Sequence, residues 1–173
     1  QEPPDAMATC SVAYQAATHK GAGSVVRYSE EVQQEVMQRQ SIVSLFKPAL
    51  SAGEFVVFYQ PKVALCDHSI CGAEALVRWL HQGQLISPGA FVPILEEEGS
   101  ICQLDYYVLE KTCQFLRRRI DSGKEPLCIS VNFSRRHMEE ENLVRKIVAV
   151  IDRYGLDHSY LEIELTESED YQD

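Results

Sequence analysis

With 173 residues, 45% of them hydrophobic and 24% charged, the chain has the makeup of one soluble globular domain of ordinary size. Its net charge of -10 argues against a duplex-binding surface, which would be basic, but leaves room for a phosphate substrate reached through cations held by carboxylates. No apolar run approaches a membrane span and no signal peptide is visible, and the six cysteines, at 10, 66, 71, 102, 113 and 128, include no C-x-x-C pair and read as reduced thiols of a cytosolic protein.

In chain order, residues 5–20 are alanine-rich and helical in character, Gly21-Ala22-Gly23 ends that helix, and Val25 to Tyr28 is a short strand candidate. Residues 29–52 read as a linker helix. Ser29 is its N-cap, Val32, Val36, Val43, Phe46 and Leu50 form one apolar stripe, and Pro48 is expected to kink it or to start a new helix. Two strands, 55–65 and 70–79, flank the turn Asp67-His68-Ser69 and should pair antiparallel. Cys66, His68 and Cys71 sit around that turn, but a fourth zinc ligand is missing nearby, which favours free thiols.

Side chains alternate across a strand, so Glu74, Leu76 and Arg78 share one face. An acid and a base in an apolar run need a partner or a metal, so these two either pair with each other or serve a site. Ser87-Pro88 has the chemistry of a helix start. The next helix runs over 101–122 with Ile101, Leu104, Val108, Phe115 and Ile120 toward the core, and Arg117-Arg118-Arg119 reads as a solvated helix end rather than a phosphate patch. A strand over 127–134 puts Ser130, Asn132 and Ser134 on one face. A helix over 139–154, closed by Gly155, follows, and then a strand over 160–168 with Glu162 and Glu164 on the face opposite Leu161, Ile163 and Leu165.

Several of these stretches resemble one family when taken together. Tyr59-Gln60-Pro61, then Glu74-Ala75-Leu76-Val77-Arg78-Trp79, then Phe91 to Glu97, then Ser130-Val131-Asn132-Phe133-Ser134, then Glu162 to Ser168 resemble, in order, the motifs of the EAL domain, the bacterial cyclic di-GMP phosphodiesterase family. The resemblance implies an α/β fold, a TIM-like (β/α)8 barrel whose first strand runs antiparallel. A complete barrel of this kind takes about 250 residues, and roughly 120 follow the linker, so the expectation is the first half of the domain over 53–173. The Asp-Asp pair, the catalytic lysine and a late glutamate of the family are then outside the chain. Residues 1–28, with Ala16-Ala17-Thr18-His19-Lys20-Gly21 and Tyr28-Ser29, resemble the last helix and strand of a GGDEF domain, the diguanylate cyclase family, without its active-site motif.

The resemblance also implies roles. Glu74, Asn132 and Glu164 would be ligands of two divalent cations, Mg²⁺ or Mn²⁺; Gln60, Leu76 and Arg78 would contact cyclic di-GMP; Glu167 would brace a loop. Two function classes follow: a piece of a phosphodiesterase giving the linear dinucleotide, inactive as this chain alone, or a non-catalytic module that binds the nucleotide or a protein. The implied partners are cyclic di-GMP and an upstream GGDEF-like domain in the cytoplasm, with any membrane attachment supplied from outside this chain. An open half-barrel edge further predicts self-association.

Overall fold

The computed structural model describes residues 6–21 and 23–166. The chain divides into two compact units, 1–47 and 48–173. In the first, helix α1 (Ala6–His19) and the N-terminal part of helix α2 (Glu30–Ala52) are linked by Gln40 Nε2 donating to Gln15 Oε1 at 3.0 Å. Ser29 caps α2 as expected: its Oγ accepts from the Val32 N–H at 3.3 Å. One expectation fails here: residues 24–29 join no sheet, because no strand among the described residues offers Val25 to Tyr28 a ladder. Helix α2 continues through Pro48 with no new helix starting there, and the unit border falls at that residue. On its apolar stripe Ile42, not Val43, is buried.

The second unit is built on a mixed sheet in the order β1-β2-β4-β5, with β3 added to β2. Strands β1 (Phe55–Val63) and β2 (Ile70–His81) pair antiparallel; β2, β4 (Cys128–Ser134) and β5 (Leu161–Thr166) run parallel. This is the antiparallel-first-strand arrangement that the motifs imply, and β1 and β5 are left as the outer strands of an open sheet among the described residues. Gly72 marks the tightest approach between strands. A Cβ there would lie 2.7 Å from the Cys128 carbonyl oxygen, so only glycine lets β2 and β4 meet at that level.

The outer face of the sheet is apolar. Ala73, Ala75, Ile129, Val131 and Phe133 are buried, and helix α4 (Ile101–Asp121) covers them with Leu104, Val108, Leu109 and Leu116. Leu116 takes the core position given to Phe115 from spacing; Phe115 instead stacks on Tyr59 with ring centroids 4.2 Å apart. Helix α3 (Pro88–Glu97) closes one end with Phe91, which packs edge-on against Trp79 and Phe55.

Two local departures have clear causes. After Trp79, where no further strand was expected, the chain turns back as a hairpin into β3 (Gln84–Ile86). Gln82 and Gly83 both adopt positive φ, 49° and 77°, which closes a two-residue turn. The helix expected from Glu139 begins later: a 3-10 turn (Arg135–Glu139) comes first, and α5 (Leu143–Arg153) starts only after Asn142 takes a left-handed conformation at φ 63°. No helix among the described residues is long and apolar enough to cross a membrane.

Candidate functional site

Register decides which side chains share the inner face. Gln60 lies directly opposite Glu74, Glu74 is level with Ser130, and Asn132 is level with Glu164. Cross-strand partners point the same way, and so do residues two apart on one strand. The inner face therefore carries Gln60 and Lys62 from β1, Glu74, Leu76 and Arg78 from β2, Ser130 and Asn132 from β4, and Glu162 and Glu164 from β5. The β2–β4 ladder ends at Ala75 and Val131 while both strands continue. At this level lies a cleft of about 390 Å³, lined by Gln60, Glu74, Leu76, Arg78, Asn132 and Glu164, and by Asp105 of α4.

All six of the expected metal and substrate residues thus line one cleft, brought together from four strands. Glu167 lies outside the described residues. Glu74 and Arg78 do not pair with each other. Glu74 Oε1 accepts from Asn132 Nδ2 at 2.8 Å, which leaves the Asn132 carbonyl oxygen for another partner. Arg78 donates one N–H to the Val77 carbonyl at 2.9 Å, and the Gln60 amide makes no hydrogen bond to another described residue.

Lys62 is a residue that the motifs did not single out. Its ammonium donates to Glu164 Oε1 at 3.0 Å and lies 3.6 Å from Glu162 Oε2. The bond from Lys62 holds the Glu164 carboxyl below the usual carboxylate range, against a smaller opposing effect of burial. The same bond raises the Lys62 ammonium, helped by the charges of Glu164, Glu162 and Glu74. The signal for Lys62 was present in the sequence: two residues beyond Gln60 on a strand means the same face.

Asp105 is the second omission. It sits at a core-facing position between Leu104 and Val108, where an acid needs a reason. Burial pushes its carboxyl up, opposed by hydrogen bonds from His137 and from Ser134. Its Oδ2 accepts from the Ser134 backbone N–H at 2.9 Å and lies 3.0 Å from His137 Nε2, while Glu96 Oε1 accepts from Ser134 Oγ at 2.6 Å. Two buried acids thereby fix the end of β4, two residues beyond Asn132.

Comparison with known proteins bears on this arrangement. Residues 45–173 match the EAL domain family. The bifunctional diguanylate cyclase/cyclic di-GMP phosphodiesterase MucR of Pseudomonas aeruginosa is 31% identical over 153 residues, which are 88% of this chain and 22% of that protein. The cyclic di-GMP phosphodiesterase NbdA of the same organism is 35% identical over 144 residues, 83% of this chain and 17% of that protein. Among solved structures, the MucR phosphodiesterase in complex with c-di-GMP superposes with a TM-score of 0.68 at 35% identity, over 73% of this chain and 52% of that one. The chain thus spans less than a quarter of these curated relatives and about half of the solved domain.

Proposed function

Since the chain belongs to the EAL domain family, we propose that its cleft is the cation- and nucleotide-binding face of a cyclic di-GMP phosphodiesterase. The observation that carries this reading is the convergence of Glu74, Asn132 and Glu164, from three parallel strands, on the cleft that Gln60, Leu76 and Arg78 also line. These ligands offer only oxygens, as hard divalent ions require. Asn132 fits because its amide nitrogen is turned to Glu74 and its carbonyl oxygen is left to coordinate. Bound Mg²⁺ or Mn²⁺ would supply an activated water and neutralise charge on the phosphate.

The chain's own residues bind and orient. Arg78 has a planar fork of N–H donors suited to two phosphate oxygens, with one donor committed to Val77. The unbonded Gln60 amide is placed beside Glu74 to contact the dinucleotide. Catalytic groups act as a unit, and losing some of them is severe and non-additive, so the 173 residues alone bind without hydrolysing. A larger protein would add the rest of the barrel, with a GGDEF-like domain ahead of it, and would work in the cytoplasm, where the free cysteines stay reduced. Among the described residues β5 has no partner on its outer edge, and two copies would associate there.

One observation favours the second class, a module that binds the nucleotide without cleaving it. The Lys62 ammonium already neutralises Glu164, at a position where a cation would otherwise sit. Titrating cyclic di-GMP into the chain by calorimetry, with and without Mn²⁺, separates the readings. Cation-dependent binding that Glu74→Gln abolishes supports the phosphodiesterase face. Arg78→Lys should weaken nucleotide binding at least ~10-fold and leave Mn²⁺ affinity unchanged, because lysine cannot make the forked contact. Binding that ignores both Mn²⁺ and Glu74→Gln favours the non-catalytic module. Product formation by the chain alone, followed by chromatography, would overturn the claim that it does not hydrolyse.

A further inference from the structure

We propose that Cys102, His137 and Glu140 form a binding site for a thiophilic divalent cation of the zinc type, separate in its ligands from the carboxylate–amide cleft but adjoining it through Asp105. Cys102 stands in the first turn of α4, and His137 and Glu140 come from the 3-10 turn after β4 and its cap. A sulfur, a ring nitrogen and a carboxylate oxygen from these three lie within 4.8 Å of one another. A tetrahedral zinc ion with bonds of ~2.0–2.3 Å holds its donor atoms roughly 3.3–3.8 Å apart. The cluster therefore needs adjustments of about 1 Å or less to close on an ion. Sulfur, nitrogen and oxygen donors together select zinc or cobalt over the hard ions suited to the cleft.

The surroundings of the three donors are those of a supported metal site. His137 is fully buried, with its Nδ1 2.7 Å from Glu140 Oε1 and its Nε2 3.0 Å from Asp105 Oδ2. An ion on Nδ1 would leave the Nε2–H donating to Asp105, the carboxylate–histidine–metal relay that fixes a ligand ring. Phe133 and Tyr106 hold that ring from two sides, with centroids 4.6 and 5.1 Å away. The second oxygen of Glu140 is held by the Tyr106 hydroxyl at 3.1 Å and by the Lys146 ammonium at 2.6 Å, so Oε1, whose contact with His137 Nδ1 an ion would replace, is the ligand oxygen. Cys102 is only half-buried, which gives the ion an entry path and leaves a fourth position for water. A bound ion would tie α4 to the segment after β4 and so stiffen the strand that carries Asn132.

Cobalt(II) is the probe, because thiolate ligation gives a near-ultraviolet charge-transfer band that oxygen ligands do not. Added to the chelator-treated chain, Co²⁺ should produce this band at one equivalent, and Zn²⁺ should bleach it. The band should be lost in Cys102→Ser and weakened about 10–100-fold in affinity when Asp105→Asn loosens the His137 relay. It should persist in the Cys66→Ser/Cys71→Ser double variant and in Glu74→Gln. No band, or a band that survives Cys102→Ser, overturns the proposal; loss of the band with Cys66 and Cys71 instead places the ion at the β1–β2 turn and also overturns it. A readout on the unsubstituted chain guards against misfolded variants: Zn²⁺ should slow alkylation of Cys102 at least ~10-fold and leave the exposed Cys128 unaffected. Equal alkylation with and without Zn²⁺ refutes the site.

Discussion

The two faces of the sheet are made of alternate residues of the same strands, yet their contents are opposite. Outward, Ala73, Ala75, Ile129, Val131 and Phe133 are apolar and buried under helices. Inward, Gln60, Lys62, Glu74, Arg78, Asn132, Glu162 and Glu164 are polar or charged, and five of them, Gln60, Glu74, Arg78, Asn132 and Glu164, line a partly open cleft. Apolar burial contributes stability in proportion to area, whereas carboxylates brought together repel and lose hydration. The outer face therefore explains why the unit folds, and the inner face, which adds little to stability, is the surface on which the proposed binding of ions and phosphates rests.

Substitutions on each face test that division. Phe133→Ala should cost the most, about 3–5 kcal/mol in urea unfolding, because a fully buried ring is replaced by a cavity under α4. Gly72→Ala comes next. The added methyl meets backbone rather than a movable side chain, so the β2–β4 pair must spread, at about 1–3 kcal/mol by the same measurement. Glu74→Gln should shift stability by less than about 1 kcal/mol, since the amide still accepts from Asn132 and one inner charge is gone. A loss as large as that of Phe133→Ala would mean that the inner face also carries the fold.

The smallest effect belongs to Lys62→Gln. Glu164 has a lowered folded-state pKa, so its contribution is present above the unfolded value of 4.5 and disappears as pH falls through the folded one. Lys62 has a raised pKa, so its contribution is present below the unfolded value of 10.5 and disappears as pH rises through the folded one. Their pairing therefore stabilises in the window between those limits. Both side chains are well exposed, 40% and 37%, and solvent screening keeps the pair below about 1 kcal/mol. Melting curves of wild type and Lys62→Gln should differ slightly at pH 7 and converge as the pH falls through the lowered pKa of Glu164. A gap that does not narrow as the pH falls would give Lys62 a packing role instead.

Much of the site was legible from strand alternation alone. It placed Glu74 with Arg78, Asn132 with Ser130, and Glu162 with Glu164, and the ordered motifs tied those faces to one family. Alternation also held the information for Lys62, which was overlooked because no motif names it. The short hairpin into β3 was missed because Gln82-Gly83 lacks the usual asparagine or aspartate before the glycine, although its backbone takes the same positive φ values. The start of α5 was misplaced because Glu139, Glu140 and Glu141 are good helix formers, whereas Asn142 takes a left-handed conformation and the α-helix begins only after it.

Sequence by itself determined what lies on each face of each strand, because a period of two is local and needs no partner. Tertiary structure alone decided which faces meet. Asn132 reaches Glu74 across 58 residues of chain, and Lys62 reaches Glu164 across 102. Those meetings depend on the parallel register of β2, β4 and β5 and on the curl that brings the first strand's long side chain over to the last. The same holds for His137, whose two ring nitrogens find Asp105, 32 residues back on α4, and Glu140 just ahead. Register is not written in the spacing of any one segment, because it depends on which strands meet and at what level.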